Sequence, residues 1–174
     1  APGSGLRSAR NLMIKDLFEK SVLIFGCGNI LWGDDGFGPA VIARLKEHYR
    51  LPANVLAMDV GTSVRDILFD LVLSDKKPEK IFIIDAVEYP DREPGEVFEI
   101  PVEGIPDKKT SDFSLHQFPT VNMLQELKEH SRIDIKIIVA QVEAIPDEVQ
   151  PGLSPAMTRA IDTTCLRLLA ALPG

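Results

Sequence analysis

Three side chains of this sequence combine two carboxylates with one imidazole. Asp35 and Asp85 each follow a run of β-forming residues, and His116 lies in a long polar segment just before a helical pattern. Two carboxylates and an imidazole suit a borderline divalent metal such as nickel, iron or zinc, and they also suit acid–base hydrolysis. The spacing of the three residues does not choose between these two kinds of chemistry.

Asp35 belongs to a glycine-rich stretch, GCGNILWGDDGFG, which runs from Gly26 to Gly38 between a strand pattern and a helical pattern. Such stretches usually bind phosphate, but the dinucleotide fingerprint GxGxxG requires a third glycine where this chain has Leu31. Asp34 and Asp35 would also repel a pyrophosphate at the start of the helix, whereas the helix dipole stabilises carboxylates there. The stretch therefore disfavours a nucleotide site, and Asp34 is expected to cap the helix.

Several other candidate side chains have a structural alternative. Asp85 ends the run KIFIID, where its carboxylate could simply accept hydrogen bonds from loop amides. Asp59 could hold the following turn, VGTS, through an Asx-type hydrogen bond. Cys27 could pair with His116 as a nucleophile, yet a free cysteine directly after a buried strand is more often a small core residue.

The pattern of apolar residues predicts an α/β fold. Four nearly continuous β-forming runs are typical of a parallel sheet that is covered on both faces; they occupy residues 21–25, 55–58, 80–85 and 135–140. Helical periods occupy residues 36–49, 63–73 and 119–130, and a last helix begins with Ser154 as its cap and Pro155 in its first turn. This alternation predicts a single doubly wound, twisted sheet with helices on both faces.

One element breaks the alternation of strands and helices. The run EVFEIP follows KIFIID after only a turn-like segment, YPDREPG, which is too short for a crossover helix. We therefore expect five strands, of which this one returns antiparallel at an edge of the mostly parallel sheet. Ligands of open α/β sheets bind outside the carboxyl ends of the strands, so Asp35, Asp59 and Asp85 are all predicted at one rim.

The length and composition of the chain favour one domain. Of the 174 residues, 45% are hydrophobic, and we expect a single α/β domain over residues 21–174 behind a flexible extension over residues 1–20. A net charge of −7 argues against a nucleic-acid partner. No apolar run approaches the ~20 residues that a membrane-spanning helix needs. Two widely separated cysteines fit a reducing cytoplasm, and no particular oligomeric state is predicted.

Four motifs in order resemble the hydrogenase maturation endopeptidase family. They are GCGNILWGDDGFG, DVGTS after the second strand, IIDAVE and SLHQF, and the match extends from about Ser21 to Leu172. The first motif meets the family signature GN-x-L-x-x-D-[DE]-x-x-G at Gly28, Asn29, Leu31, Asp34, Asp35 and Gly38. The segments GCGN and WGDDGFGP most resemble those of the branch that serves archaeal deazaflavin-reducing hydrogenases.

The resemblance implies an endopeptidase that removes a C-terminal extension from the nickel-loaded precursor of a nickel–iron hydrogenase large subunit. It also implies that Asp35, Asp85 and His116 are the catalytic and metal-contacting residues. The nickel would belong to the substrate, whose thiolates would complete the coordination, and other divalent metals could occupy the same site. Contacts with the substrate are expected from Gly28, Asn29, Asp34, Asp59, Gly61 and Thr62. The alternative is a non-catalytic, nickel-dependent precursor-binding module or metallochaperone with the same three ligands.

Overall fold

The computed structural model describes residues 14, 17–104 and 121–173. These residues contain, in full, five strands and four α-helices. The strands are β1 (Val22–Cys27), β2 (Val55–Gly61), β3 (Lys80–Val87), β4 (Val97–Ile100) and β5 (Asp134–Gln141). The α-helices are α1 (Phe37–His48), α2 (Val64–Leu73), α3 (Val121–Ser131) and α4 (Pro155–Ala171), and short 3-10 helices cover Gly33–Gly36 and Val102–Gly104.

The five strands form one sheet in the order β2-β1-β3-β5-β4. β1 pairs in parallel with both β2 and β3, and β3 pairs in parallel with β5. β4 lies at the edge and runs antiparallel to β5, with Val97 opposite Ala140 and Ile100 opposite Ile137. The predicted fold class, a doubly wound and mostly parallel five-stranded sheet with one antiparallel edge strand, is confirmed.

Two hydrophobic cores fill the two faces of the sheet. Along β1, Leu23, Phe25 and Cys27 point into one core, while Val22 and Ile24 point into the other, as the alternation of side chains along a strand requires. Helices α2 and α3 cover the first face, and α1 and α4 cover the second. Within the described part of the chain, no helix is long and apolar enough to cross a membrane.

The starts of the helices show which local predictions hold. Ser154 caps α4 as predicted, because its hydroxyl oxygen accepts the backbone N–H of Met157 at 3.3 Å and Pro155 follows it. The prediction that Asp34 caps α1 is wrong. The cap position of α1 is occupied by Gly36, which offers no side chain, and Asp34 lies two residues earlier in the 3-10 helix.

The parallel strands extend further than the sequence pattern indicated, and two of them continue past an aspartate. β3 continues for two residues beyond Asp85, because Ala86 and Val87 still pair with β5. β2 likewise continues beyond Asp59 to Gly61. Asp85 and Asp59 are therefore strand residues rather than the first residues of loops, and their side chains have the fixed directions that the sheet imposes.

The predicted extension over residues 1–20 lies mostly outside the described residues. At its end, however, Leu17 and Phe18 are buried against the core on the α2 and α3 face. The packed part of the chain therefore begins before Ser21, where the sequence pattern placed its start.

Candidate active site

The strand order creates a crevice between β1 and β3. The chain leaves β1 toward β2 on one side and later returns to β3 on the other side, so the connections diverge at the carboxyl ends of β1 and β3. This topological switch point is where open α/β sheets bind their ligands. Asp35 lies in the connection after β1, and Asp85 lies near the carboxyl end of β3.

Asp35 is held by the backbone of its own loop. The side chain is buried, with 7% of its surface exposed, and its Oδ2 accepts the backbone N–H of Asn29 at 2.9 Å. Gly28 allows the loop to close in this way: its φ is 134°, and a Cβ atom there would lie 1.9 Å from the carbonyl oxygen of Asp35. The Asn29 side chain forms the turn itself, since its Oδ1 accepts the N–H of Leu31 at 3.0 Å.

Asp85 is a buried carboxylate within a strand. Only 1% of its surface is exposed, and its Oδ1 accepts the backbone N–H of Ala86 at 2.8 Å. Ile83 and Val87, two residues away on either side, both point into the core on the α2 and α3 face, so Asp85 is directed to that face as well. A carboxylate buried within a strand is unusual, which makes Asp85 a candidate site residue.

Three carboxylates act electrostatically on the buried thiol of Cys27. Burial raises the pKa of this thiol well above its ordinary value, and the negative charges of Asp85, Asp35 and Asp59 raise the pKa further. The three aspartates therefore lie together around the carboxyl end of β1, at one rim of the sheet. A raised thiol pKa disfavours the thiolate form, and with it Cys27 as the nucleophile that the sequence left open.

Asp59 forms the Asx-type turn that the sequence offered as its structural role. Its Oδ1 accepts the backbone N–H of Gly61 at 2.9 Å. Gly61 in turn accepts the N–H of Gly28 at 3.0 Å through its carbonyl oxygen, which joins the end of β2 to the loop of Asp35. Asp59 and Thr62 are both exposed beside this junction. The substrate contacts expected from Gly28, Asn29, Asp59, Gly61 and Thr62 stay predictions.

Asp34 has an internal role that the sequence did not indicate. It is 1% exposed, and its Oδ1 accepts the backbone N–H of Ser154 at 2.6 Å. Its Oδ2 accepts the N–H of Glu143 at 2.9 Å and the hydroxyl of Ser154 at 3.0 Å. Both oxygens are thus bonded within the protein, and the contact with substrate expected from Asp34 stays a prediction. No local signal could reveal these partners, because they lie more than 100 residues away along the chain.

Two other glycines of the stretch, Gly26 and Gly38, bring α1 against the sheet. A Cβ atom on Gly38 would lie 2.2 Å from the carbonyl oxygen of Cys27 and 2.6 Å from that of Ile84. On β1, a Cβ atom at Gly26 would lie 2.5 Å from the carbonyl oxygen of Gly38. The first turn of α1 therefore packs directly on β1 and β3. This close packing explains why glycine occupies both positions, without a bound phosphate.

His116, the third predicted metal ligand, lies outside the described residues. Within the residues that the structure describes, no three histidine, cysteine, aspartate or glutamate side chains form a group that could hold a metal ion. The described part of the site therefore provides two predicted ligands, Asp35 and Asp85, on a rigid frame of sheet and short helix.

The fold and the site define an open, doubly wound α/β protein with two buried carboxylates at its switch point, and the comparison with known families gives its activity. Residues 39–171 match the family described as HycI, hydrogenase maturation protease. The chain belongs to the hydrogenase maturation protease family and is an endopeptidase of hydrogenase maturation.

Individual relatives agree with this assignment. A Methanocaldococcus jannaschii protein assigned to the hydrogenase maturation proteases is 39% identical over 146 residues, which cover 83% of this chain and 91% of that protein. Coenzyme F420 hydrogenase subunit delta of Methanothermobacter thermautotrophicus is 36% identical over 148 residues, with coverages of 83% and 89%. The solved structure of the Escherichia coli hydrogenase maturating endopeptidase HybD matches with a TM-score of 0.71 at 26% identity, over 87% of this chain and 91% of that one.

Proposed function

We propose that this endopeptidase removes a C-terminal extension from the nickel-loaded precursor of a nickel–iron hydrogenase large subunit, and that it recognises the nickel which the precursor contains. The observation that supports this most is the pair of buried carboxylates, Asp35 and Asp85, at the switch point of a hydrogenase maturation protease. Nickel is here part of the substrate rather than a resident cofactor, and other divalent metals could take its place.

The chemistry of the two carboxylates suits such a metal. Burial lowers the local dielectric, so a divalent cation gains more from Asp35 and Asp85 here than it would from exposed carboxylates. With His116 as the third ligand, the protein would supply an oxygen and nitrogen set that leaves positions open for thiolates of the substrate.

The chain topology is compatible with a contribution from His116. Only residues 132 and 133 join the end of α3 to the start of β5, so α3 ends at the amino end of the parallel strands. If α3 packs along β5, its first residue lies at the carboxyl end of the strands. Asp35 and Asp85 lie at that same end. His116 precedes Val121, the first residue of α3, by five residues, and five residues of chain reach at most about 18 Å.

For the hydrolytic step we propose attack by water with assistance from a carboxylate. One carboxylate of the pair accepts a proton as the water oxygen attacks the carbonyl carbon of the scissile peptide, and the same proton then passes to the leaving nitrogen. The substrate's nickel would polarise the reacting centre. The raised pKa of the Cys27 thiol supports water rather than sulfur as the nucleophile.

The rim beside Asp59 offers a place for side chains of the substrate. Asp59 lines a cavity of about 340 Å³ together with Ile30, Ala40 and Leu153. Its carboxylate would favour a basic group next to an apolar one. The similarity to coenzyme F420 hydrogenase subunit delta supports a deazaflavin-reducing hydrogenase as the partner, and the two buried free cysteines fit an enzyme of the reducing cytoplasm.

One mass measurement separates the protease from the alternative, a non-catalytic nickel-dependent binding module. Nickel-loaded precursor is incubated with the wild-type protein or with Asp35→Asn, and the intact mass of the precursor is recorded. Loss of the C-terminal peptide with the wild type alone supports the proposal. A precursor that binds the wild type in a nickel-dependent way, with its mass unchanged, would establish the binding module instead.

A further inference from the structure

The segment between β5 and α4 is fastened to the short helix that contains Asp35. Asp34, the chain neighbour of Asp35, accepts three hydrogen bonds from this segment: the N–H of Glu143 at 2.9 Å, and the N–H and hydroxyl of Ser154 at 2.6 Å and 3.0 Å. These bonds reach both ends of the segment, because Glu143 follows β5 closely and Ser154 begins α4.

Backbone hydrogen bonds secure the same contact between the two segments. The N–H of Gly33 donates to the carbonyl oxygen of Gln150 at 2.9 Å, and the N–H of Gln150 donates to the carbonyl oxygen of Leu31 at 2.9 Å. Trp32 and Gln150 form a bridge of the parallel type. Residues 31–34 are thus bonded along their length to the segment that leads into α4.

Asp34 is anchored to a long, well-packed helix. Ser154 caps α4, which has 17 residues and packs on the same face of the sheet as α1. The partial positive charge at the start of α4 stabilises the Asp34 carboxylate, and the Ser154 hydroxyl joins that carboxylate to the N–H of Met157 in the first turn.

We propose that Asp34 is a positioning residue that fixes the place of Asp35 by fastening their shared 3-10 helix to the start of α4. The Asp34 carboxylate is engaged within the protein, since it is 1% exposed and both of its oxygens accept hydrogen bonds from the segment that leads into α4. Its effect passes through the backbone to Asp35, whose Oδ2 lies 2.9 Å from the nitrogen of Asn29. A ligand side chain must stay within about 0.5 Å of its productive position, which gives this anchoring a catalytic consequence.

This inference rests on the proposed function for the role of Asp35, so the test uses one readout that needs no substrate. The amide of Asn29 donates to Asp35, and its hydrogen exchange, followed by NMR, reports how firmly Asp35 holds its place. The second readout is the kcat for cleavage of nickel-loaded precursor, measured separately from KM.

The variants are Asp34→Asn, Ser154→Ala and Ser154→Thr. Asp34→Asn is expected to speed exchange of the Asn29 amide and to lower kcat by about 10-fold to 100-fold at unchanged KM, the usual effect of removing a partner that orients a ligand. Ser154→Ala loses one of the three bonds and should show a smaller effect, and Ser154→Thr, which keeps the hydroxyl, should restore wild-type values. Should Asp34→Asn fail to fold, the two Ser154 variants test whether the contact between Asp34 and Ser154 positions Asp35.

The control variant is Asp162→Asn, which removes the ion pair between α4 and Arg44 of α1 at 2.6 Å but leaves the site loop untouched. It should change neither readout. If Asp34→Asn and Ser154→Ala lower only the melting temperature, or change one readout without the other, the positioning role is overturned. If the wild type cleaves no precursor, the proposed function fails, and the exchange of the Asn29 amide still decides whether Asp34 fixes Asp35.

Discussion

The carboxylate of Asp35 accepts the backbone N–H of Asn29 at 2.9 Å, across a loop that Gly28 allows to close. The backbone of the loop therefore helps to hold the Asp35 side chain in place, in addition to side-chain packing. A carboxylate fixed in this way costs little to reorganise when a metal or a reacting peptide arrives, which is the condition for efficient electrostatic catalysis.

Replacement of Gly28 should disrupt this loop severely. Gly28→Ala is expected to lower the free energy of unfolding by about 3 kcal/mol or more, because its Cβ would meet the Asp35 carbonyl oxygen at 1.9 Å in addition to the unfavourable φ of 134°. Gly152→Ala is the matched control: its φ is 111°, but nothing lies within 4 Å of its Cβ. It should cost only about 1–2 kcal/mol in urea unfolding. Equal losses in the two variants would refute the steric argument.

Asp85 and Asp59 should differ in the kinetic constant that they control. Asp85→Asn is nearly isosteric at a buried position and is expected to lower kcat by about 10²-fold to 10⁴-fold while the circular dichroism spectrum is unchanged. Asp59→Asn keeps an oxygen for the N–H of Gly61, so its turn persists and only the exposed charge is lost. It should raise KM with kcat unchanged. A loss of kcat in Asp59→Asn as large as in Asp85→Asn would assign Asp59 to the chemistry instead.

Cys165 should make stability decline at alkaline pH. Burial raises the pKa of its thiol from 9.0 to about 11, so the folded protein holds this proton more tightly than the unfolded chain does. The resulting stabilisation is fully present below pH 9 and is lost as the pH rises toward 11. Urea unfolding at pH 8 and pH 10.5 should therefore show a smaller loss for Cys165→Ala than for the wild type. An identical loss in both would show that this thiol does not contribute.

The sequence predicted the features that depend on neighbouring residues. Apolar runs and helical periods indicated the strands and helices, and the short YPDREPG segment indicated the antiparallel edge strand, because a crossover helix needs more chain. The gathering of Asp35, Asp59 and Asp85 followed from one rule about the carboxyl ends of parallel strands.

The features that the sequence missed depend on contacts distant along the chain. Asp34 stands at the start of a helix, but the helix is α4, whose cap residue Ser154 follows 120 residues later. Asp85 remains within β3 because its neighbours still pair with β5, a strand that lies some 50 residues further on. Only tertiary structure determines either relationship, so no window of sequence around the aspartates could reveal it.

Whether the enzyme recognises nickel in its substrate can be measured from the intact mass of two precursor preparations. The same large-subunit precursor, with and without nickel, is incubated with equal amounts of wild-type enzyme, and cleavage is followed over time by mass spectrometry. We expect loss of the C-terminal peptide from the nickel-loaded precursor and an unchanged mass for the nickel-free one. Cleavage of both precursors at the same rate would contradict this expectation.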